Sequence, residues 1–153
     1  MKRIVILSDT HGLLRPEVLE HLANADAIIH GGDINTQAIV DTLQGFAPLY
    51  IVRGNNDKEW AESLSHSLTF TIEGIRFFVV HNKRDIPEDL SGVDVVVYGH
   101  SHKYACENRE SALWLNPGSC GRRRFDQEIT LVVMTVEDGQ FQVEKVTIPH
   151  GQK

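Results

Sequence analysis

Residues 4–11 read Ile4-Val5-Ile6-Leu7-Ser8-Asp9-Thr10-His11, four apolar residues that break off into hydroxyl, carboxylate and imidazole groups. A run this short and rich in β-branched side chains has strand length, and its lack of alternation marks a strand buried on both faces. Further runs of the same texture are Ala27 to Ile29, Leu49 to Val52, Phe77 to Val80 and Val95 to Tyr98. Between the first three lie helical patterns. Pro16 to Asn24 has proline at a first-turn position and Val18, Leu19 and Leu22 on one side, and Asn35 to Gln44 has Ile39, Val40 and Leu43. Strand and helix in alternation imply parallel pairing through right-handed crossovers. Downstream, Ser67 to Ile72 and Ile75 to Val80 flank Glu73-Gly74, and Ile129 to Val136 and Phe141 to Ile148 flank Glu137-Asp138-Gly139, both hairpin signals. The expected architecture is therefore α/β, with two sheets face to face and helices on the outer side of each.

The chain has 153 residues, with 21 Asp or Glu against 15 Lys or Arg and a formal charge of -6. No linker or repeat interrupts it, so residues 1–153 are expected to form a single domain. An acidic total opposes stable nucleic-acid binding through a broad basic face. The apolar start is too short for a signal peptide or a membrane-spanning helix. Cys106 and Cys120 stand far apart without a CxxC pattern, which argues against a disulfide framework or thiolate zinc site and favours a reduced, cytoplasmic setting.

Each of the five apolar runs ends in groups that bind metals: Ser8-Asp9-Thr10-His11, His30-Gly31-Gly32-Asp33, Arg53-Gly54-Asn55-Asn56-Asp57, His81-Asn82 and Gly99-His100-Ser101-His102. Taken singly, most of these are ordinary turn sequences or a packed core histidine. Taken together they are not, because the carboxyl ends of strands in an open α/β sheet line one crevice. Asp9 and His11, and likewise His100 and His102, are two apart, and in extended backbone such pairs face the same side. Gly32, Gly54 and Gly99 lie beside candidate ligands, where a chain leaving a strand must turn sharply.

The ordered set Asp9-x-His11, Gly32-Asp33, Gly54-Asn55, His81 and Gly99-His100-x-His102 resembles the calcineurin-like metallophosphoesterase superfamily. The short length, Gly54-Asn55-Asn56-Asp57 and Asn116-Pro117-Gly118-Ser119 resemble its small YfcE-like phosphodiesterase branch. The resemblance implies a four-layer αββα sandwich of two mixed β-sheets flanked by helices, with a binuclear metal centre at the sheets' edge. It places Asp9, His11, Asp33 and His102 on one ion and Asn55, His81 and His100 on the second, with Asp33 between them. Oxygen and imidazole donors without thiolate suit Mn, the first expectation, or Ni, Co, Fe or Zn. Such a centre attracts a phosphate anion and generates hydroxide near neutral pH, so phosphoester hydrolysis is the implied reaction.

Two departures from the superfamily matter. Many members have histidine after Gly-Asn, the group thought to protonate the leaving oxygen, and here Asn56 stands there; general acid assistance is typically worth about 10²–10⁴-fold. A slow enzyme favouring diesters with good leaving groups is expected, with Asp57 as a substitute acid, an orienting group or a helix cap. The second departure is Asn82 after His81, where the family usually has glycine.

Among the remaining residues, His30 is expected to pack or to orient Asp33, while His21 and His66 read as surface residues and His150 as part of a terminal tail. Arg122-Arg123-Arg124 reads as a phosphate grip or a solvated turn, and Arg53 as a group at the crevice mouth or in a surface ion pair. Cys106 and Cys120 read as small apolar fillers. The expected function is a metal-dependent phosphodiesterase acting on a small or nucleotide-like diester through a metal-bridging hydroxide. A broad phosphomonoesterase and a weakly active interaction scaffold, like the retromer subunit that shares this fold, are the alternatives. Family members often pair, so a homodimer is expected.

Overall fold

The computed structural model describes residues 2–55, 57, 59–109, 112–121 and 128–148. Strands β1 (Lys2–Leu7), β2 (Ala27–His30) and β3 (Leu49–Ile51) alternate with helices α1 (Pro16–Leu22) and α2 (Gln37–Gln44), as the apolar spacing predicts. There follow β4 (Ser67–Ile72), β5 (Ile75–Val80), β6 (Val95–Val97), β7 (Ala105–Arg109), β8 (Ala112–Asn116), β9 (Ile129–Glu137) and β10 (Gln140–Ile148). They form two five-stranded mixed sheets, ordered β10-β9-β1-β2-β3 and β4-β5-β6-β8-β7. β1, β2 and β3 are parallel, as are β5, β6 and β8, and these parallel segments carry the sequences that end in polar clusters.

Successive residues of β1 serve two cores, as the period of a strand requires. Ile4 and Ile6 face the second sheet in a cluster with Ile29, Phe77, Val79, Val95 and Val97. Val5 and Leu7 face the helices, against Val18, Leu22, Ile39 and Leu43. A third cluster on the far side of the second sheet joins Val96, Tyr98 and Ala112 to Ile86, Leu90 and Trp114.

The α/β sandwich matches the expected class, but its fourth layer is thinner than the helices anticipated there. Among the described residues the segment after β5 contains only a 3₁₀ turn, Lys83–Asp85. Pro87, the Asp89 carboxylate bonded to Ser91 N–H (3.0 Å) and Gly92 with φ of 79° break the helical path. Ile86 and Leu90 still supply the apolar cover. No helix among the described residues is long and apolar enough to cross a membrane.

Candidate metal centre

The loops after β1, β2, β5 and β6 converge at one edge of the sandwich. Backbone bonds continue the β1–β2 ladder past the strands, from Asp9 N–H to the Gly32 carbonyl (2.9 Å) and from His11 N–H to the Asp33 carbonyl (3.0 Å). Gly99 N–H similarly reaches the His81 carbonyl (2.9 Å). Six of the seven expected ligands meet in two triads, Asp9 with His11 and His102, and Asp33 with His81 and His100. Asn55 is exposed on the adjoining turn, and Asn56 lies outside the described residues.

Convergence arises differently from the spacing argument. Asp9, His11, Asp33, His100 and His102 have φ of 55°, 47°, 60°, 75° and 66°, all left-handed and none extended. Side chains with a Cβ rarely adopt this region, and such backbone is held only where surrounding bonds over-determine it. Two residues apart here means two steps of a tight turn, and the same-side rule for strands does not apply.

Those surrounding bonds are specific. Asp57, buried at 2% exposure, accepts four backbone N–H groups. Its Oδ2 takes those of Asp33 (3.0 Å) and Gly54 (2.9 Å), and its Oδ1 those of Ile34 (2.9 Å) and Asn35 (2.8 Å). Asp57 thus clamps the Asp33 turn to the Gly54 turn, and a proton on either oxygen would displace an N–H. Arg53 closes this loop by donating from Nε to the Asp57 carbonyl (3.1 Å). At Gly54 a Cβ would overlap the backbone N and Oδ1 of Asp33, so close approach excludes every other residue there.

On the opposite side, Asp9 Oδ2 accepts the Ser8 hydroxyl (2.8 Å) and His100 N–H (3.2 Å), which aims Oδ1 into the cluster. Ser119 Oγ donates to the Asp9 carbonyl (3.0 Å), and Asn116 Nδ2 to the Gly99 carbonyl (3.3 Å) and Ser101 Oγ (3.1 Å). Ser8, Asn116 and Ser119 are therefore positioning residues that the sequence reading did not single out for this role. The signal was visible only in part, as Asn116-Pro117-Gly118-Ser119 at the end of β8.

The cluster's donor atoms lie as close together as the ligands of one ion do. His11 Nε2 and His102 Nε2 are 3.3 Å apart. His102 Nε2 is 3.5 Å from Asp9 Oδ1, and His81 Nε2 is 3.2 Å from Asp33 Oδ2. Bonds of about 2.0–2.2 Å to one ion put neighbouring ligand atoms roughly 3–3.5 Å apart. Asp9 Oδ1 is buried without a hydrogen-bond partner among the described residues. Such an orphaned atom is costly unless an ion satisfies it, so the residues fit divalent metal. His81 Nδ1–H donates to the Gly31 carbonyl (2.8 Å), which fixes the tautomer and turns Nε2 toward the cluster. Burial opposes charge on His81, but Asp33 and Asp9 outweigh it and raise its pKa.

His30 is fully buried. It accepts Gly32 N–H at Nδ1 (3.0 Å), and its Nε2 lies 3.1 Å from Thr10 Oγ1, so it joins the β1 and β2 turns as a neutral ring. Burial lowers its pKa to about 3. The unfolded chain takes a proton near 6.5 while the folded chain refuses it, so His30 lowers stability progressively as pH falls from 6.5 toward 3. The expected loss by pH 5 is about 2 kcal/mol. Urea unfolding of chelator-treated protein at pH 7 and pH 5 measures it. The His30→Asn variant should show a smaller acid loss by that amount, and an equal loss in both proteins would refute the assignment.

Cys120 packs as the small apolar filler expected, and Cys106 does not. Cys106 is exposed on edge strand β7 and fills no core. Cys120 is buried, and its N–H reaches the Ser8 carbonyl (3.3 Å), close behind Asp9. Arg122, Arg123, Arg124 and His150 lie outside the described residues.

Two mixed sheets with paired carboxylate–histidine triads at one edge define a phosphoesterase-like metal-site fold. Residues 1–139 match the calcineurin-like phosphoesterase superfamily domain, and the chain belongs to that superfamily. It is similar to phosphodiesterase YfcE of Escherichia coli strain K12, with 32% identity over 146 residues, covering 78% of this chain and 79% of that protein. Among solved structures, an archaeal phosphodiesterase superposes with TM-score 0.78 at 25% identity, covering 95% of this chain and 99% of that one. Vps29 of Chaetomium thermophilum superposes with TM-score 0.78 at 22% identity, covering 96% and 98%, a likeness of fold.

Proposed function

We propose that the chain is a metal-dependent phosphodiesterase that holds two divalent ions and hydrolyses a small or nucleotide-like phosphodiester. The observation that carries this reading is the position of Asp33 Oδ2, 3.6 Å from His11 Nε2 in one triad and 3.2 Å from His81 Nε2 in the other. One carboxylate oxygen facing both triads is suited to a bridge. Asp9, His11, Asp33 and His102 would hold the first ion, and Asn55, His81 and His100 the second with Asp33 shared. Mn is the preferred occupant, with Ni, Co, Fe and Zn also compatible with these donors. When bound, the ions supply Lewis-acid charge that offsets the phosphoryl oxygens and acidifies water.

The chain's own residues do the positioning. Asp57 and Asp33 fix the turn on which substrate phosphate would sit, Asn55 and Asn56 offer amide groups to phosphoryl oxygens, and the Gly31 carbonyl orients His81. Asn56 stands in place of an acid and Asp57 is engaged by four N–H donors, so neither position is suited to deliver a proton to the leaving oxygen. That favours diesters with acidic leaving alcohols over monoesters. The phosphodiesterase names of similar proteins support the same choice. A scaffold that never held ions would have no use for two carboxylate–histidine triads buried at this edge. A small diester substrate, a reduced cytoplasmic setting and a homodimer belong to this reading.

The test is hydrolysis of bis-p-nitrophenyl phosphate beside p-nitrophenyl phosphate, with chelator-stripped protein and Mn, Ni, Co, Zn or Mg restored. Metal-restored diester cleavage exceeding monoester cleavage, with two ions per chain, is the expected result. Preferred monoester cleavage would replace the reading with a phosphomonoesterase, and inactivity with both sites loaded would replace it with a scaffold.

A further inference from the structure

A cleft of about 250 Å³ opens from the candidate centre on the His100 side, with Lys83, Tyr98, Ser101, Lys103 and Glu107 in its walls. His100 belongs both to this wall and to the second triad, so a group in the cleft would be joined by a short spacer to a phosphorus atom at the triads. Two lysines, Lys83 and Lys103, line this small space. Among the described residues the ion pairs of lysine or arginine with carboxylate are Arg109–Glu107 at 3.2 Å and Lys145–Glu128 at 2.7 Å. Lys83 and Lys103 therefore have no carboxylate partner there, while the one acid in the wall, Glu107, is held by Arg109. The cleft is locally cationic on a chain of net charge -6.

Local structure presents both lysines. Asn82, the residue that departs from the superfamily's glycine, accepts Arg84 N–H on its side chain (3.0 Å) and caps the 3₁₀ turn that begins at Lys83. Glycine has no side chain with which to make this cap. Lys83 Nζ lies 5.8 Å from the centre of the Tyr98 ring, within cation–π range of the cleft's aromatic wall. Lys103 follows His102, and its N–H points to Ser101 Oγ (3.4 Å), the oxygen that also accepts from Asn116.

We propose that this cleft binds a second phosphate carried on one arm of the diester, with Lys83 and Lys103 as its cationic partners. The proposal rests on the phosphodiesterase reading and narrows it to substrates with a further phosphate beyond the scissile one. A phosphate monoester carries nearly two negative charges near neutral pH, matching two compact ammonium charges.

The experiment compares thymidine 5′-(p-nitrophenyl phosphate) with its 3′-phosphorylated counterpart, both of which release p-nitrophenolate. Metal-loaded wild type is expected to favour the 3′-phosphorylated ester by about 10-fold in kcat/KM through KM, an effect that shrinks as salt rises. The Lys83→Ala/Lys103→Ala double variant should lose that ratio, and the Lys83→Arg/Lys103→Arg variant should retain it. Cleavage of both esters without discrimination, or a ratio unchanged by the alanine pair, overturns the cleft and leaves the phosphodiesterase reading intact. If neither ester is cleaved, that reading fails alone, and binding of thymidine 3′,5′-bisphosphate decides the cleft. Affinity about 10-fold weaker in the alanine variant supports it, and equal affinity overturns it.

Discussion

Asp33→Asn is expected to remove metal-dependent hydrolysis by about 10³-fold or more, because it deletes the charge that faces both triads. Asparagine preserves the shape of the side chain but gives an ion a neutral ligand, and in one amide orientation points N–H donors at it. Folding should survive. The bonds that shape this turn involve the Asp33 backbone, whose N–H donates to Asp57 Oδ2 and whose carbonyl accepts from His11 N–H. The clearest readout is thermal. An ion that binds only the folded state at 100 times its Kd adds about 2.7 kcal/mol. In a chain of this size that is roughly 5–10 °C of melting temperature. Wild type should show this gain when Mn is added to chelator-stripped protein, and Asp33→Asn should show almost none. Undiminished hydrolysis in the variant would remove Asp33 from the centre altogether.

The strands that carry the site are legible in the sequence because they are buried on both faces, so unbroken apolar runs stop where the chain reaches the crevice. Asp9, His11, Asp33, His81, His100 and His102 stand out for that reason, and the structure brings them together. Their backbone is less legible. A spacing of two fits an extended segment as well as a left-handed turn, and only bonds from distant residues such as Asp57, Ser119 and Asn116 select the turn. Those partners lie 24, 110 and up to 17 positions away, beyond the reach of local pattern. Strand β7 escaped notice because an exposed edge strand, Ala105–Arg109, need not be apolar. Its neighbour β8 is a buried run whose burial shows only once β6 lies beside it. The thin outer layer on the second sheet follows from Pro87 and Gly92, which interrupt a segment whose apolar residues alone do not reveal its path.

Asp57→Asn is expected to unsettle the protein even with no metal present. The native carboxylate takes two N–H groups on each oxygen, whereas an asparagine side chain has one oxygen and turns its amide donors toward the other pair. Two charge-assisted bonds are lost and two buried donors face a donor, at a combined cost of about 3–5 kcal/mol. The melting temperature of chelator-stripped protein should fall by roughly 10 °C or more. Asp57→Ala, which leaves all four N–H groups without that acceptor, should fall at least as far. Hydrolysis should decline too, because Asp33 and Gly54 are joined through this carboxylate, and the decline should be similar for diesters with good and poor leaving groups. A general acid would give the opposite pattern, with unaltered melting and a loss that grows as the leaving alcohol becomes less acidic. The two measurements therefore separate positioning from proton transfer: a stable Asp57→Asn protein with leaving-group-dependent loss would restore Asp57 as the acid. A destabilised one with uniform loss would leave phosphoryl transfer here dependent on ions, orientation and the leaving group's own acidity.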